Sequence, residues 1–247
     1  MKVAALYDIH GNLPALEAVL GEVEGEDVDQ VIVGGDVVPG PMPAESLEAL
    51  WNLAIPVRFI YGNGEQDILA LHDGQELTRV PEQFHESMRW VADALPSRHL
   101  RELETWPPTL SLSIPGLGEV LFCHATPRDD NGLFTSITPE ERLRPLFESA
   151  GADVVMCGHT HMQFDRTVAG VRVVNAGSLG MPFGEPGAYW ASLSSEGIEL
   201  RRTEYDFAAA SQRIRGTGYP TQFVVEHPPS AEDMLKLFES AAGGRRG

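Results

Sequence analysis

The chain has 247 residues, with 18 basic against 36 acidic side chains and a formal net charge of −18 at pH 7. That length suits one large domain, or a domain and a half, whose core needs no disulfide staples. The acid excess, concentrated in the N-terminal half, disfavours nucleic acid and anionic membranes as partners, since both are held through a basic footprint. Two cysteines, Cys123 and Cys157, sit in apolar runs and read as reduced core thiols, not a secreted disulfide framework. Met1 and Lys2 lead directly into an apolar run and an Asp without a signal-peptide pattern, and no apolar stretch approaches the ~20 residues of a membrane helix. A cytoplasmic protein is expected.

In chain order, residues 3–7 read as a strand. Leu13, Leu16, Leu20 and Val23 then recur at helical spacing, with Asn12 as N-cap and Pro14 in the first turn. Gln30–Val33 is the next strand; Leu47, Leu50, Trp51 and Ala54 mark a second helix; residues 57–61 form a third strand. This alternation predicts parallel βαβ units and an α/β layered fold. From about 66 to 104, Val80, Phe84, Met88, Val91 and Leu95 step at helical intervals with no strand pattern between them, which predicts a helical insertion and a core stripe.

The period then returns to two. Leu110, Leu112 and Ile114 alternate and are separated by a Gly-containing turn from residues 119–123, a hairpin. Thr138, Pro139 and Glu141 predict a helix opened by a capping box with Pro at its first position. Residues 153–157 form a further strand, and turns at Ala169-Gly170 and Ser195–Gly197 suggest that the second half is largely an antiparallel meander. Residues 216–229, rich in Gly and Pro, read as a linker to a short last helix capped by Ser230 and Asp233, and the closing GGRRG as disordered. The organisation expected is a main domain over 1–205 and a C-terminal extension over 206–247.

Five of these strands end on, or within two residues of, a side chain that binds metals: Asp8 and His10, Asp36, Asn63, His124, and His159 with His161. Loops at the carboxyl ends of strands are where α/β sheets bind ligands, so seven N and O donors are delivered to one edge. In extended or tightly turning backbone, residues i and i+2 share a direction; Asp8/His10 and His159/His161 each offer two donors to one ion or to two neighbouring ions. Gly34, Gly35, Gly62 and Gly158 beside them would allow the backbone to turn toward a common centre. The set exceeds what one tetrahedral ion uses and suits two ions, with a short carboxylate such as Asp36 between them.

In order and spacing, Asp8-Ile9-His10, Gly35-Asp36, Gly62-Asn63, His124 and Gly158-His159-Thr160-His161 resemble the calcineurin-like metallophosphoesterase superfamily, as does the stretch from Asn175 to Pro182 in its small prokaryotic members. The resemblance spans roughly residues 1–205. It implies a two-sheet α/β sandwich flanked by helices and a dinuclear centre: one ion on Asp8, His10, Asp36 and His161, the other on Asp36, Asn63, His124 and His159. With imidazole, carboxylate and amide donors and no thiolate, Mn, Fe, Zn, Co and Ni all qualify. The activity implied is phosphoester hydrolysis by a metal-bridging hydroxide, with Asp36, Asn63 and His124 central to it. The substrate implied is a small phosphorylated molecule, nucleotides included. The alternative is a non-catalytic binding or scaffold protein that keeps the fold.

One departure matters. Many members carry a His after the Asn, a candidate to protonate the leaving group, whereas this chain reads Gly62-Asn63-Gly64-Glu65. Glu65 reads either as an orienter of a ligand or as a helix N-terminal carboxylate. Arg128, four residues after His124, is a candidate to hold a non-reacting phosphate, or else an ion-pair partner of Asp129 or Asp130. His72 and His85 in the insertion are weaker candidates for the missing imidazole.

Overall fold

The N-terminal alternation forms as its pattern predicts in the structure, a computed structural model that describes residues 1–244. β1 (Val3–Leu6), α1 (Leu13–Gly25), β2 (Gln30–Val33), α2 (Pro43–Trp51) and β3 (Val57–Phe59) follow in order, and the three strands pair in parallel. The Asn12 side chain caps α1 by accepting the Ala15 N–H, with Pro14 in the first turn. The next helix, α3 (Asn63–His72), opens on Asn63, earlier than the expected boundary at 66, because Glu65 reaches back to accept the Gly62 N–H at 2.8 Å and closes the first turn. A 3-10 turn (Glu82–Phe84), α4 (His85–Ala94) and α5 (Ser97–Leu103) complete the insertion. Of its stripe, Met88, Val91 and Leu95 are buried, but Phe84 is 42% exposed.

β4 (Thr109–Ile114) and β5 (Gly118–Cys123) make the expected antiparallel hairpin. Then come α6 (Glu140–Phe147), β6 (Val154–Cys157), β7 (Phe164–Val168), β8 (Val171–Asn175), β9 (Ala188–Ser194), β10 (Gly197–Thr203), α7 (Phe207–Arg215) and α8 (Ala231–Gly244). The second half is not one meander. β6 pairs in parallel with β5 and with β8, and the β9–β10 hairpin leaves that sheet to add β9 antiparallel beside β1. Two five-stranded sheets result, ordered β10-β9-β1-β2-β3 and β4-β5-β6-β8-β7. α6 lacks the expected cap: Pro139 takes the N-cap position, and the Thr138 hydroxyl is engaged elsewhere, accepting the Thr135 N–H and donating to Glu239. α7, which the sequence reading missed, is capped by the Asp206 side chain. Gly243 and Gly244 close α8, and the rest of the GGRRG tail lies outside the described residues.

Period-two alternation explains how two sheets make three apolar layers. Val3, Ala5 and Tyr7 face the opposing sheet while Ala4 and Leu6 face the helices; Val120, Phe122 and Met156 face inward while Leu121, Cys123 and Cys157 pack under α6. The helical layer on the first sheet also takes in Ala210 and Ile214 of α7. Among the described residues no helix is long and apolar enough to cross a membrane.

Candidate metal centre

The parallel strands β1, β2, β5 and β6 end at one edge of the sandwich, and the structure brings all seven expected donors together there. Asp8 Oδ1 lies 3.4 Å from His161 Nε2, 3.8 Å from His124 Nε2 and 3.9 Å from His10 Nε2. Asp36 Oδ2 lies 3.6 Å from His124 Nε2 and 3.8 Å from His10 Nε2, between the two. Asn63 Oδ1 is 3.1 Å from His124 Nε2, and the His159 ring stands 5.2 Å from that of His124. Two overlapping groups, Asp8/His10/His161 and Asp8/Asp36/His124, have geometry that could hold a metal ion.

The hydrogen bonds settle which ring nitrogens face the centre. His10 Nδ1 meets the Pro39 carbonyl at 3.0 Å, His124 Nδ1 the Gly34 carbonyl at 2.8 Å and His161 Nδ1 the Met181 carbonyl at 2.7 Å. A carbonyl only accepts, so in each neutral ring Nδ1 carries the proton and Nε2 presents a lone pair. Those lone pairs point at one another, 3.1 Å apart between His10 and His161, and at carboxylate and amide oxygens. Acceptors converge on acceptors with no hydrogen between them. Asp8 Oδ1 and His159 Nε2, both buried, have no hydrogen-bond partner at all. A buried cluster of this kind is costly unless a cation sits among its lone pairs, so the residues fit divalent ions.

Electrostatics favour the donor state at Asp8, His10 and His159, whereas at His124 the two carboxylates pull toward the imidazolium, a proton that a bound cation would displace. Burial pushes Asp8 up, but the facing imidazoles of His161, His124 and His10 outweigh it and hold its carboxyl well below the usual carboxylate range. Burial, reinforced by His161, lowers His10, and burial, reinforced by His124, lowers His159 to about 3. His124 is desolvated too, yet Asp36 and Asp8 outweigh that and raise its pKa. Burial drives the thiols of Cys123 and Cys157 upward, and their sulfurs point at carbonyls within the strands, which keeps thiolate out of the donor set.

The backbone strain lies in the donors themselves. Asp8, His10, Asp36, His159 and His161 have φ of 52°, 49°, 52°, 67° and 59°, and Ala169 is the sole further non-glycine with positive φ among the described residues. Each such conformation costs of order 1 kcal/mol and persists only where the surroundings impose it. This corrects the expected role of the glycines: of the four flanking ones only Gly35 has positive φ. The others serve by lacking a Cβ, which at Gly62 would lie 2.2 Å from Asp36 Oδ1 and at Gly158 2.3 Å from Asp8 Oδ2.

Glu65 is both things the sequence allowed. Besides Gly62, its carboxylate accepts the N–H groups of Asp36 at 2.8 Å, Val37 at 2.7 Å and Val38 at 3.2 Å, clamping the β2 turn that aims Asp36. Burial and the nearby Asp36 push its pKa up to about 7, against the pull of those donors. Gly64 N–H donates to Asp36 Oδ1 at 2.7 Å. The stretch after β8 is a second buttress: the Asn175 amide donates to the Gly158 carbonyl at 2.6 Å, and Ser178 Oγ and the Gly180 N–H both donate to the Asp8 carbonyl.

Beside the centre lies a cleft of about 510 Å³, its floor formed by His10, Asp36, Asn63 and His159. The insertion overhangs it through Val80, Phe84 and Met88, while His85 is bound to the Val80 carbonyl and neither His72 nor His85 lines the cleft. Arg128 is not brought to the centre; its guanidinium donates to Ser149 Oγ at 2.6 Å, and it pairs with neither Asp129 nor Asp130. The guanidinium in the cleft wall belongs to Arg79, tied to Asp67 at 3.2 Å and Asp130 at 3.1 Å. No local pattern singled out Arg79, since its place depends on how the insertion folds back.

Residues 1–196 match the calcineurin-like phosphoesterase superfamily domain. An uncharacterised protein of Methanocaldococcus jannaschii is 25% identical over 232 residues, 86% of this chain and 91% of that one. Among solved structures, a hypothetical protein from Pyrococcus horikoshii superposes with a TM-score of 0.77 at 22% identity over 96% of this chain and 97% of its own. A metallophosphoesterase from Sphaerobacter thermophilus gives 0.70 at 24% identity over 98% and 99%. Both structural likenesses are of fold, and they match the paired sheets and flanking helices.

Proposed function

Because the chain belongs to the calcineurin-like phosphoesterase superfamily, we propose that it is a dinuclear metal-dependent phosphoesterase hydrolysing a small phosphoester, phosphodiester or nucleotide. In this reading Asp8, His10, Asp36 and His161 hold one ion and Asp36, Asn63, His124 and His159 the other. Asp36 would belong to both sets, which the near-equal approach of its Oδ2 to His10 and His124 supports. The observation that carries the proposal is the acceptor-only cluster: three imidazoles locked by Nδ1–H bonds to carbonyls, with lone pairs converging on two buried carboxylates. Bound divalent ions supply Lewis acidity that lowers the pKa of water and takes up phosphoryl charge. N and O donors with no thiolate suit Mn, Fe, Zn, Co or Ni.

The chain's own part is to fix the donors. The carbonyls of Pro39, Gly34 and Met181 set the tautomers, and Glu65 sets the backbone that presents Asp36. Among the described residues, His10 and His159 are the imidazoles lining the cleft, and both belong to the ligand set. No further imidazole delivers a proton to the leaving group, so good leaving groups such as aryloxides or phosphoanhydrides are favoured over alkoxides. The net charge of −18 repels polyanions, while a cationic centre would draw in a small phosphate ester. Two buried free thiols agree with a reducing, cytoplasmic setting.

Hydrolysis of bis-p-nitrophenyl phosphate and p-nitrophenyl phosphate with added Mn or Ni is the test. Metal-dependent release of nitrophenol is expected from wild type, falling about 10³-fold in Asp36→Asn, as loss of several kcal/mol of charge stabilisation requires. No metal-dependent turnover in wild type would sink the enzyme reading and favour the scaffold alternative.

A further inference from the structure

The cleft over the metal centre has an apolar wall contributed from beyond the family-matching region, which ends at residue 196. From the segment after α7 come Tyr219 and Phe223, and from α8 come Leu237, Phe238 and Ala241; they line the cleft together with Val80, Phe84 and Met88 of the insertion. This wall is docked in place. Glu239 on α8 accepts from Thr135, Thr138 and Arg142, the Gly184 N–H donates to the Pro229 carbonyl at 2.8 Å, and Phe238 meets Phe183, whose ring stacks on His161 at 5.2 Å. Trp90 of α4 stands edge-on to Tyr219 at 5.3 Å, joining the two walls.

Among the described residues, Phe84 and Leu237 are two of the four large apolar side chains that remain exposed, at 42% and 57%, and both line this cleft. Apolar surface kept open above a cluster of metal donors, in a volume suited to a small molecule, is the arrangement of a ligand site with a polar floor and an apolar wall.

We propose that the C-terminal segment completes the substrate pocket, and that the pocket selects phosphate esters bearing an aromatic ring, whose phosphate meets the floor while the ring lies between Phe84 and Leu237. The proposal rests on the phosphoesterase reading of the same site. Aromatic side chains on both walls favour a flat ring over a flexible chain, because a ring stacks in preferred geometries and loses little conformational freedom.

Calorimetric titration of the Mn-loaded protein with methyl-, hexyl- and phenylphosphonate tests it, because these share the phosphate-like head and differ in the substituent. Phenylphosphonate should bind about tenfold or more tighter than methylphosphonate, the equivalent of burying about 55 Å² of apolar surface, and tighter than hexylphosphonate. In Phe84→Ala/Leu237→Ala the phenyl-to-methyl ratio should drop below about threefold. Both side chains are exposed, so the double variant should keep the wild-type melting temperature. Equal binding of phenyl and methyl compounds, stronger binding of hexylphosphonate, no binding of phenylphosphonate, or a ratio unchanged in the double variant each overturns the proposal. Ring-selective binding without hydrolysis of aryl esters keeps the pocket and removes the catalytic reading; hydrolysis without ring-selective binding does the reverse.

Discussion

Around the metal centre, five of the seven donors are buried and five hold φ between 49° and 67°, whereas along the cleft walls Phe84 and Leu237 leave 42% and 57% of their surface to solvent in relaxed helical settings. The floor is made by strand ends of two sheets, cross-braced by Glu65 and by the Asn175–Gly180 stretch. The walls are made by an insertion and a C-terminal helix, each tied down at a few points such as Glu239. Chemistry that depends on lone pairs converging within a few ångströms needs a scaffold stiff enough to impose strain. Recognition of an apolar group needs only surface of the right shape and so tolerates looser elements.

The sharpest probe of this contrast is Glu65→Gln, which touches only the bracing of the floor. An amide offers one oxygen and turns an NH₂ group toward backbone donors, so metal affinity should fall about 10–100-fold, with about 1–3 kcal/mol of stability lost. Metal titration and thermal melts read both, and unchanged affinity would mean that Glu65 is a helix cap alone. Gly64→His comes next. A Cβ at Gly64 would lie 2.2 Å from Pro39 Cγ and 2.8 Å from Asp36 Oδ1, so restoring the family's imidazole should lower kcat on aryl esters by about tenfold. A rise toward the 10²-fold or more that a general acid contributes would break the account. The smallest effect is expected at the wall: Glu239→Ala frees α8 from Thr135, Thr138 and Arg142. It should raise KM for aryl esters about threefold with kcat held, the signature of lost uniform binding. An equal fall in kcat would merge wall and floor into one unit.

What the sequence revealed follows the range of the interactions. β1 to β3 and their helices are legible because period and caps are local, as Asn12 over Ala15 illustrates. The seven expected donors are legible because they follow closely on the ends of five strands. Their strained φ values are not, since strain is imposed by neighbours; of the four glycines beside them only Gly35 has positive φ, while Gly62 and Gly158 make room for Asp36 and Asp8. The pairing of β9 with β1 joins residues nearly two hundred apart and leaves no mark in either segment. Thr138 looked like a cap until Glu239, a hundred residues on, claimed its hydroxyl. Arg128 and Arg79 were separated by the same cause: proximity in sequence to His124 favoured the first, and the folding back of the insertion placed the second in the cleft. The amphipathic pattern of α8 says that it docks, but not on what.

The central claim is that the acceptor cluster holds two divalent ions, and anomalous diffraction from crystals soaked in Mn tests it most directly. The account predicts two peaks ~3.5–4 Å apart, one among Asp8, His10, Asp36 and His161, the other among Asp36, Asn63, His124 and His159, with Asp36 between them. No peak among these side chains, or a single peak that leaves Asn63 and His159 without a metal, would contradict it.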